Sequence, residues 1–244
     1  IIIAHEILDA LPVERLIFKD ENLYRQGVQT LDNEQGSILS FVELPLSEEL
    51  VISLKEIEES IGLKIPPMGV SDGWCTEWHL ELNEWFKLSS KILIRGSLLV
   101  VDYILESFRY YNSQRSSGTI LAYYHNIATS DIFKEPGSCD ITSHLCLETL
   151  NYYARKHGWS FLGEVLQGEA LLSLGLSKAL HSLQYLSNSE LALALERREN
   201  LLRLVDPYCL GGFRWVAFQI NNDAISDREP FVLRTRFLEE PFID

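Results

Sequence analysis

The sequence has little of what marks several functional classes. Its 244 residues include one methionine, Met68, and four cysteines, Cys75, Cys139, Cys146 and Cys209. No two cysteines form a Cys-x-x-Cys pair, and their density is far below that of a disulfide-stapled secreted domain. Reduced thiols in a cytosol-like compartment are therefore expected. The one tight grouping, Cys139, Asp140, His144 and Cys146, follows no familiar zinc spacing, so no metal is expected there. Positive charge is also scarce, with 21 Lys and Arg against 35 Asp and Glu, a net charge of −14 and a pI near 4.9. That balance argues against a nucleic-acid surface, which needs clustered cations. The pair Arg197-Arg198 sits between Glu196 and Glu199 and reads as a solvated helix face. No stretch approaches the roughly 20 apolar residues that span a bilayer.

What is present is a substantial apolar content, 46% of residues, enough for one large domain or a domain with an insertion. The chain opens on Ile1-Ile2-Ile3-Ala4, a β-branched run that reads as a buried strand and breaks into His5, Glu6 and Asp9. In open α/β sheets ligands bind beyond the carboxyl ends of strands, which places these polar groups well for chemistry. The competing reading is that Glu6 and Asp9 start a solvated turn. A buried strand makes a poor chain terminus, because its backbone groups need neighbours. With no initiator methionine, these residues are expected to be the later part of a longer protein.

Strand patterns follow at 13–18, 23–28 and 38–44, a β insertion or cap over residues 13–45. Ser47 opens a helix with Leu50, Leu54, Ile57 and Ile61 on one face, and a second helix is expected from about Thr76. Leu98 to Tyr103 reads as another buried strand ending in an acidic residue, Asp102. The polar, aromatic and locally basic stretch 109–118 has the length of a binding loop or lid. A helix over 147–157, a strand over 159–166 and two short leucine-rich helices over 168–186 come next. Ser187 and Glu190 suggest a capping box for a further helix with Leu191, Leu195, Leu202 and Val205 inward. A last strand is expected over 213–220, then an irregular acidic tail over 221–244.

Several of these stretches together resemble one family. Glu6-x-x-Asp9-Ala10-Leu11-Pro12 is similar to the Asn-Glu-Phe-x-Asp-Ala-Leu-Pro signature of the MidA family of class I S-adenosylmethionine-dependent methyltransferases. The likeness continues through Val101-Asp102-Tyr103, residues 111–119, Pro136-Gly137, residues 140–144, Leu166-Gln167-Gly168 and Gly211-Gly212-Phe213-Arg214, covering about 1–220. The resemblance implies an α/β fold, the C-terminal part of a class I Rossmann-like sheet with strands 4-5-7-6. It implies S-adenosylmethionine as cofactor and a protein arginine as acceptor, in a respiratory-complex subunit. A homodimer is also implied, with no nucleic acid and no membrane span. A bacterial cytoplasm, or the mitochondrial matrix in a eukaryote, would be the compartment. Neither the family's Gly-rich cofactor turn nor its ribose-binding acid occurs in these residues, so the chain alone is expected to bind cofactor poorly and be inactive.

Carried over by position, Glu6 and Asp9 would be catalytic, holding and orienting a guanidinium, and His5 and Glu6 would border the cofactor. Asp102, Tyr103, Tyr111, Gln114, Arg115, His125, Asp140, Thr142 and His144 would form the acceptor side. For the last six or so, capping and packing roles compete. This chain departs from the family pattern at His5 (usually Asn), Ile104 (usually Gly) and Cys146 (usually Asp), which bears on the acceptor more than on the fold. The alternatives are a non-catalytic assembly protein that keeps the fold, or methylation of a small molecule.

Overall fold

The structure, a computed structural model, describes residues 1–33, 36–221 and 235–240. In chain order the first half contains β1 (Ile2–His5), β2 (Glu14–Lys19), β3 (Asn22–Asn33), β4 (Gly36–Leu44), α1 (Glu48–Ile61), β5 (Cys75–Trp78), α2 (Glu81–Ile92) and β6 (Arg95–Asp102). Then follow β7 (Ile104–Leu105), α3 (Ser107–Tyr110), β8 (Leu121–Tyr124), β9 (Ile127–Thr129), β10 (Asp140–Thr142), β11 (Leu145–Cys146) and α4 (Leu147–Lys156). The last part holds β12 (Ser160–Leu166), α5 (Gln167–Ser173), α6 (Leu176–Ser182), α7 (Leu191–Arg203) and β13 (Arg214–Asn221). The chain divides into two compact units, one of residues 1–5, 90–103 and 158–244, the other of 6–89 and 104–157.

The first unit is built on a four-stranded sheet in the order β1-β6-β13-β12. β1 runs parallel to β6, whereas β13 is antiparallel to both β6 and β12. β6 is paired on both sides and buried almost throughout, as an apolar run without alternation predicts for a central strand. β1 departs from the buried strand that its isoleucine run predicts and lies at the exposed edge that the family resemblance leads one to expect for it. It is an edge strand, and Ile1 and Ile3 are 80% and 64% exposed while Ala4 is buried. Three isoleucines encode a strand but not how many neighbours it has.

A second correction concerns α7. Its leucines at helical spacing predict an inward face, yet no residue of the helix is buried, and Leu191 and Leu195 are 59% and 55% exposed. Periodicity shows that a stripe exists, not what covers it. Ser187 and Glu190 form half of the expected capping box: Ser187 N and Oγ donate to Glu190 Oε2 at 3.2 and 2.7 Å. Among the described residues Ser187 Oγ caps no N–H, and the helix starts only at Leu191 with Glu190 before it. The tail expected over 221–244 lies outside the described residues apart from Asn221 and 235–240.

The second unit contains an antiparallel sheet in the order β4-β3-β2-β5. β5 is the third correction. Residues 75–78 form a fully buried strand paired with β2, from Glu14↔Trp78 to Ile17↔Cys75, and the expected helix starts only at Glu81. Trp78 and Leu82 suit a helical spacing, but pairing with an open strand edge decides the conformation of so short a segment. α1 is capped as its sequence predicts: Ser47 Oγ accepts from Leu50 N at 3.3 Å, and Gly62 takes the left-handed φ of 67°. Leu50, Leu54 and Ile57 are buried on one face of it. Trp78 ties the layers together, its Nε1 donating to Ser53 Oγ of α1 at 2.9 Å, which in turn meets Tyr153 OH of α4 at 2.8 Å. Smaller sheets, β10-β8-β9 and the parallel pair β11-β7, complete the unit.

Trp78→Ala should therefore cost about 3–5 kcal/mol, through an unfilled cavity and the loss of the hydrogen bond to Ser53. Urea unfolding followed by fluorescence checks this; a loss below about 1 kcal/mol would show that the three layers are not joined at Trp78.

Candidate functional site

At the strand ends of the first unit the polar run after Ala4 begins. His5, the last residue of β1, is exposed, and its ring centroid lies 6.2 Å from that of Phe213. Tyr103 stacks on the same Phe213 at 4.3 Å. Phe213 is held in turn by Gln167: Gln167 N donates to Phe213 O at 2.8 Å, Gln167 Nε2 to Leu210 O at 2.8 Å, and Trp215 Nε1 to Gln167 Oε1 at 3.1 Å. Asp102 is fully buried. It stands opposite Arg214 across the β6–β13 ladder, and its Oδ1 accepts from Tyr103 N at 2.8 Å. Arg214 also pairs with Glu164 at 3.0 Å.

In the second unit Glu6 is exposed with a left-handed φ of 48°, a turn conformation that ends the strand direction at once. Asp9 is buried, and burial followed by the Glu6 charge raises its carboxyl above the usual carboxylate value. Ser143 N donates to Asp9 O at 3.0 Å, while Ser143 Oγ meets Nε2 of the buried His79 at 3.0 Å. Next along the chain, His144 N donates to Thr119 Oγ1 at 3.0 Å. Thr119 N and Oγ1 both donate to Glu77 Oε2 at 2.8 Å. Glu77 is 0% exposed, and the hydroxyl of Tyr110 donates to its main-chain carbonyl at 3.4 Å. Gly118, at φ 74°, lies so close to the Glu77 carboxyl that a Cβ there would run into Oε1.

Among the expected acceptor residues, His144, Gln114 and Arg115 come together on this framework. His144 is held down to about 4, first by burial and then by the charges of Arg115 and Arg109. Gln114 and Arg115 line an open depression with Arg109 and Asn112. The others disperse. Tyr111 does not sit on a loop surface but in the core, 6.1 Å from Trp78 and 4.8 Å from Tyr110 between ring centroids. His125 and Asn126, at φ 49° and 62°, form the two-residue turn between β8 and β9, a geometry both residues tolerate. Asp140 and Thr142 are the ends of β10, opposite Tyr123 and Leu121 of β8. Glu77, His79, Ser143 and Phe213 were not singled out from the sequence. Glu77 read as a helix residue, and a buried carboxyl is visible only once its partners are in place. Among the described residues no three His, Cys, Asp or Glu side chains gather as metal ligands. No helix among them is long and apolar enough to cross a membrane.

Residues 1–165 match the family described as "Putative S-adenosyl-L-methionine-dependent methyltransferase", and the chain belongs to that family. The fold is similar to that of a COG1565 superfamily member from Burkholderia thailandensis, described as a candidate methyl transferase and solved with S-adenosyl-homocysteine bound. Against it the TM-score is 0.76 at 24% identity, covering 98% of this chain and 56% of that one. A second structure, of an uncharacterized COG1565 superfamily protein from the same organism, gives a TM-score of 0.74 at 25% identity, covering 91% of this chain and 55% of that one. The chain thus spans a little over half the length of each. No curated protein matches it in sequence.

Two outcomes follow from this geometry. Gly118→Ala combines an unfavourable φ with a clash against Glu77 and should destabilise the fold by about 1–3 kcal/mol, read as a lowered thermal midpoint. An unchanged midpoint would mean that the loop does not depend on that approach. For acid sensitivity, burial holds His79 at about 4 against 6.5 for the free side chain. The unfolded chain binds more protons between those values, so stability is complete above about pH 6.5, falls as pH drops, and levels off below about 4. His79 alone should supply about 3 kcal/mol of that loss. His144, less enclosed, adds in the same sense, and Asp9, with its raised carboxyl, acts in the opposite one. Urea midpoints across pH 7 to 4 in wild type and His79→Gln check this, the variant being expected to lose a large share of the slope and to keep the part that His144 supplies.

Proposed function

We propose that the chain carries the acceptor-binding part of an S-adenosylmethionine-dependent methyltransferase that modifies a protein arginine, with Glu6 and Asp9 as the residues that receive the guanidinium. The observation that carries this reading is the coupling of the two carboxyl groups. Asp9 is raised by burial and by the Glu6 charge, as expected where one carboxyl group is enclosed near another. A guanidinium relieves both penalties at once and can be gripped through two parallel hydrogen bonds. A carboxyl group raised in this way is also a better base for the proton that the attacking nitrogen must lose. Class membership, the sheet order β1-β6-β13-β12 and the antiparallel β13 support assignment of these strands as 4-5-7-6 of a class I sheet.

The fit to the cofactor is one-sided. His5 at the end of β1 and Glu6 just past it offer polar groups where such a ligand would be bordered, but no glycine-rich cofactor turn occurs in residues 1–244. When bound, S-adenosylmethionine supplies an electrophilic methyl group on its sulfonium. The chain's own share is to hold the acceptor nitrogen on line, through Glu6 and Asp9, and to keep Asp9 fixed through Ser143.

The test uses the longest reading frame containing these residues, labelled cofactor, and both arginine-containing protein and small-molecule acceptors. Glu6→Gln and Asp9→Asn should each lower methyl transfer to protein by about 100-fold, with cofactor affinity little changed in Asp9→Asn. Unchanged transfer in both variants would remove the acidic pair from the mechanism. Transfer to small molecules alone would exclude a protein arginine.

A further inference from the structure

In a chain of net charge −14, the stretch from Arg109 to Arg115 forms a cationic surface. Arg109, Asn112, Gln114 and Arg115 enclose an open depression of about 440 Å³. We propose that this depression binds an oxyanion, a carboxylate or a phosphate group, carried by the molecule on which the protein acts. Naming that carrier as the methyl acceptor rests on the function proposed above; the binding itself does not.

The geometry supports a built recess rather than two chance surface arginines. Arg115 Nε donates to Arg109 O at 3.3 Å, which fixes the root of its guanidinium and leaves the terminal nitrogens to point elsewhere. Asn112 shapes the turn between the two arginines: its Oδ1 accepts from Gln114 N at 2.8 Å, and its carbonyl accepts from Trp74 Nε1 at 3.1 Å. The far end of the loop is fastened by Thr119 to the buried Glu77. Donors held this way lose little freedom on binding, which is what makes a planar guanidinium selective for oxyanions. One negative group is already present: Glu106 Oε2, a buried atom, lies 3.5 Å from Arg109 Nη1, so an incoming anion would share Arg109 with it and rely more on Arg115. The pKa of His144 is lowered first by burial and then by the charges of the two arginines. An anion seated between the arginines would offset that repulsion, so His144 reports occupancy without forming the site.

The experiment titrates the folded protein with inorganic phosphate and, separately, with acetate and an acidic peptide, at constant ionic strength. The His144 ring protons are followed by NMR across pH 4 to 7. Saturable binding that shifts the His144 midpoint upward is expected. In Arg109→Gln/Arg115→Gln the affinity should fall at least tenfold and the shift should vanish, while Arg197→Gln/Arg198→Gln, on the exposed α7, binds as wild type. Preference for phosphate over acetate and peptide would assign a phosphorylated carrier, and the reverse a carboxylate one. No saturable binding, or equal loss in the two double variants, would overturn the proposal. Neither result depends on methyl transfer, so loss of that activity and loss of anion binding remain separate findings.

Discussion

The second unit depends on one buried carboxyl group. Glu77 is enclosed by protein, and a group of that polarity stays buried only where donors meet it. Thr119 supplies two of them from a single residue, and the same hydroxyl then accepts from His144 N. Three segments distant in sequence are brought together in this way: β5, the loop that ends at Gly118-Thr119, and the turn after β10. Gly118 is required because nothing larger fits against the carboxyl. The loop's glycine and threonine are thus dictated by a residue about 40 positions earlier.

From that junction the polar geometry spreads outward in short steps. Ser143, adjacent to His144, holds the backbone of Asp9 and faces the buried His79. The charge of Arg115 acts on His144 itself. The acidic pair after β1 and the cationic recess of the 109–115 loop are therefore both referred to one turn of chain. In the first unit the equivalent role falls to Gln167, which uses its backbone and both ends of its amide to set Phe213 beneath Tyr103 and His5. The two arrangements share a principle: a polar side chain outside the candidate positions is itself held by hydrogen bonds and in turn fixes the residues that are candidates.

Much of the local structure was legible in the sequence. The Ser47 cap, the Gly62 stop and the Leu50, Leu54, Ile57 stripe are α1 as observed, and the apolar run over 98–102 is the central strand β6. These features depend on nearest neighbours along the chain, which the sequence contains. The failures have a common cause. Residues 76–78 became strand because β2 offered a free edge, Ile1 and Ile3 are exposed because β1 is paired on one side, and the leucines of α7 are uncovered. Each depends on what lies opposite, which no periodicity records.

The sequence by itself determined the class of protein, through motifs that place acidic residues after a β-branched strand and a Gly-Thr pair after a basic loop. It also determined the cap and the stop of α1, because capping is a local property. Only the tertiary structure decided which polar residues act together. It separated Tyr111, a core aromatic, and His125, a turn residue, from Arg115 and His144, and it exposed Glu77 as the hub. The reason is that a polar group's role is set by its burial and its partners, and both are created only when distant segments meet.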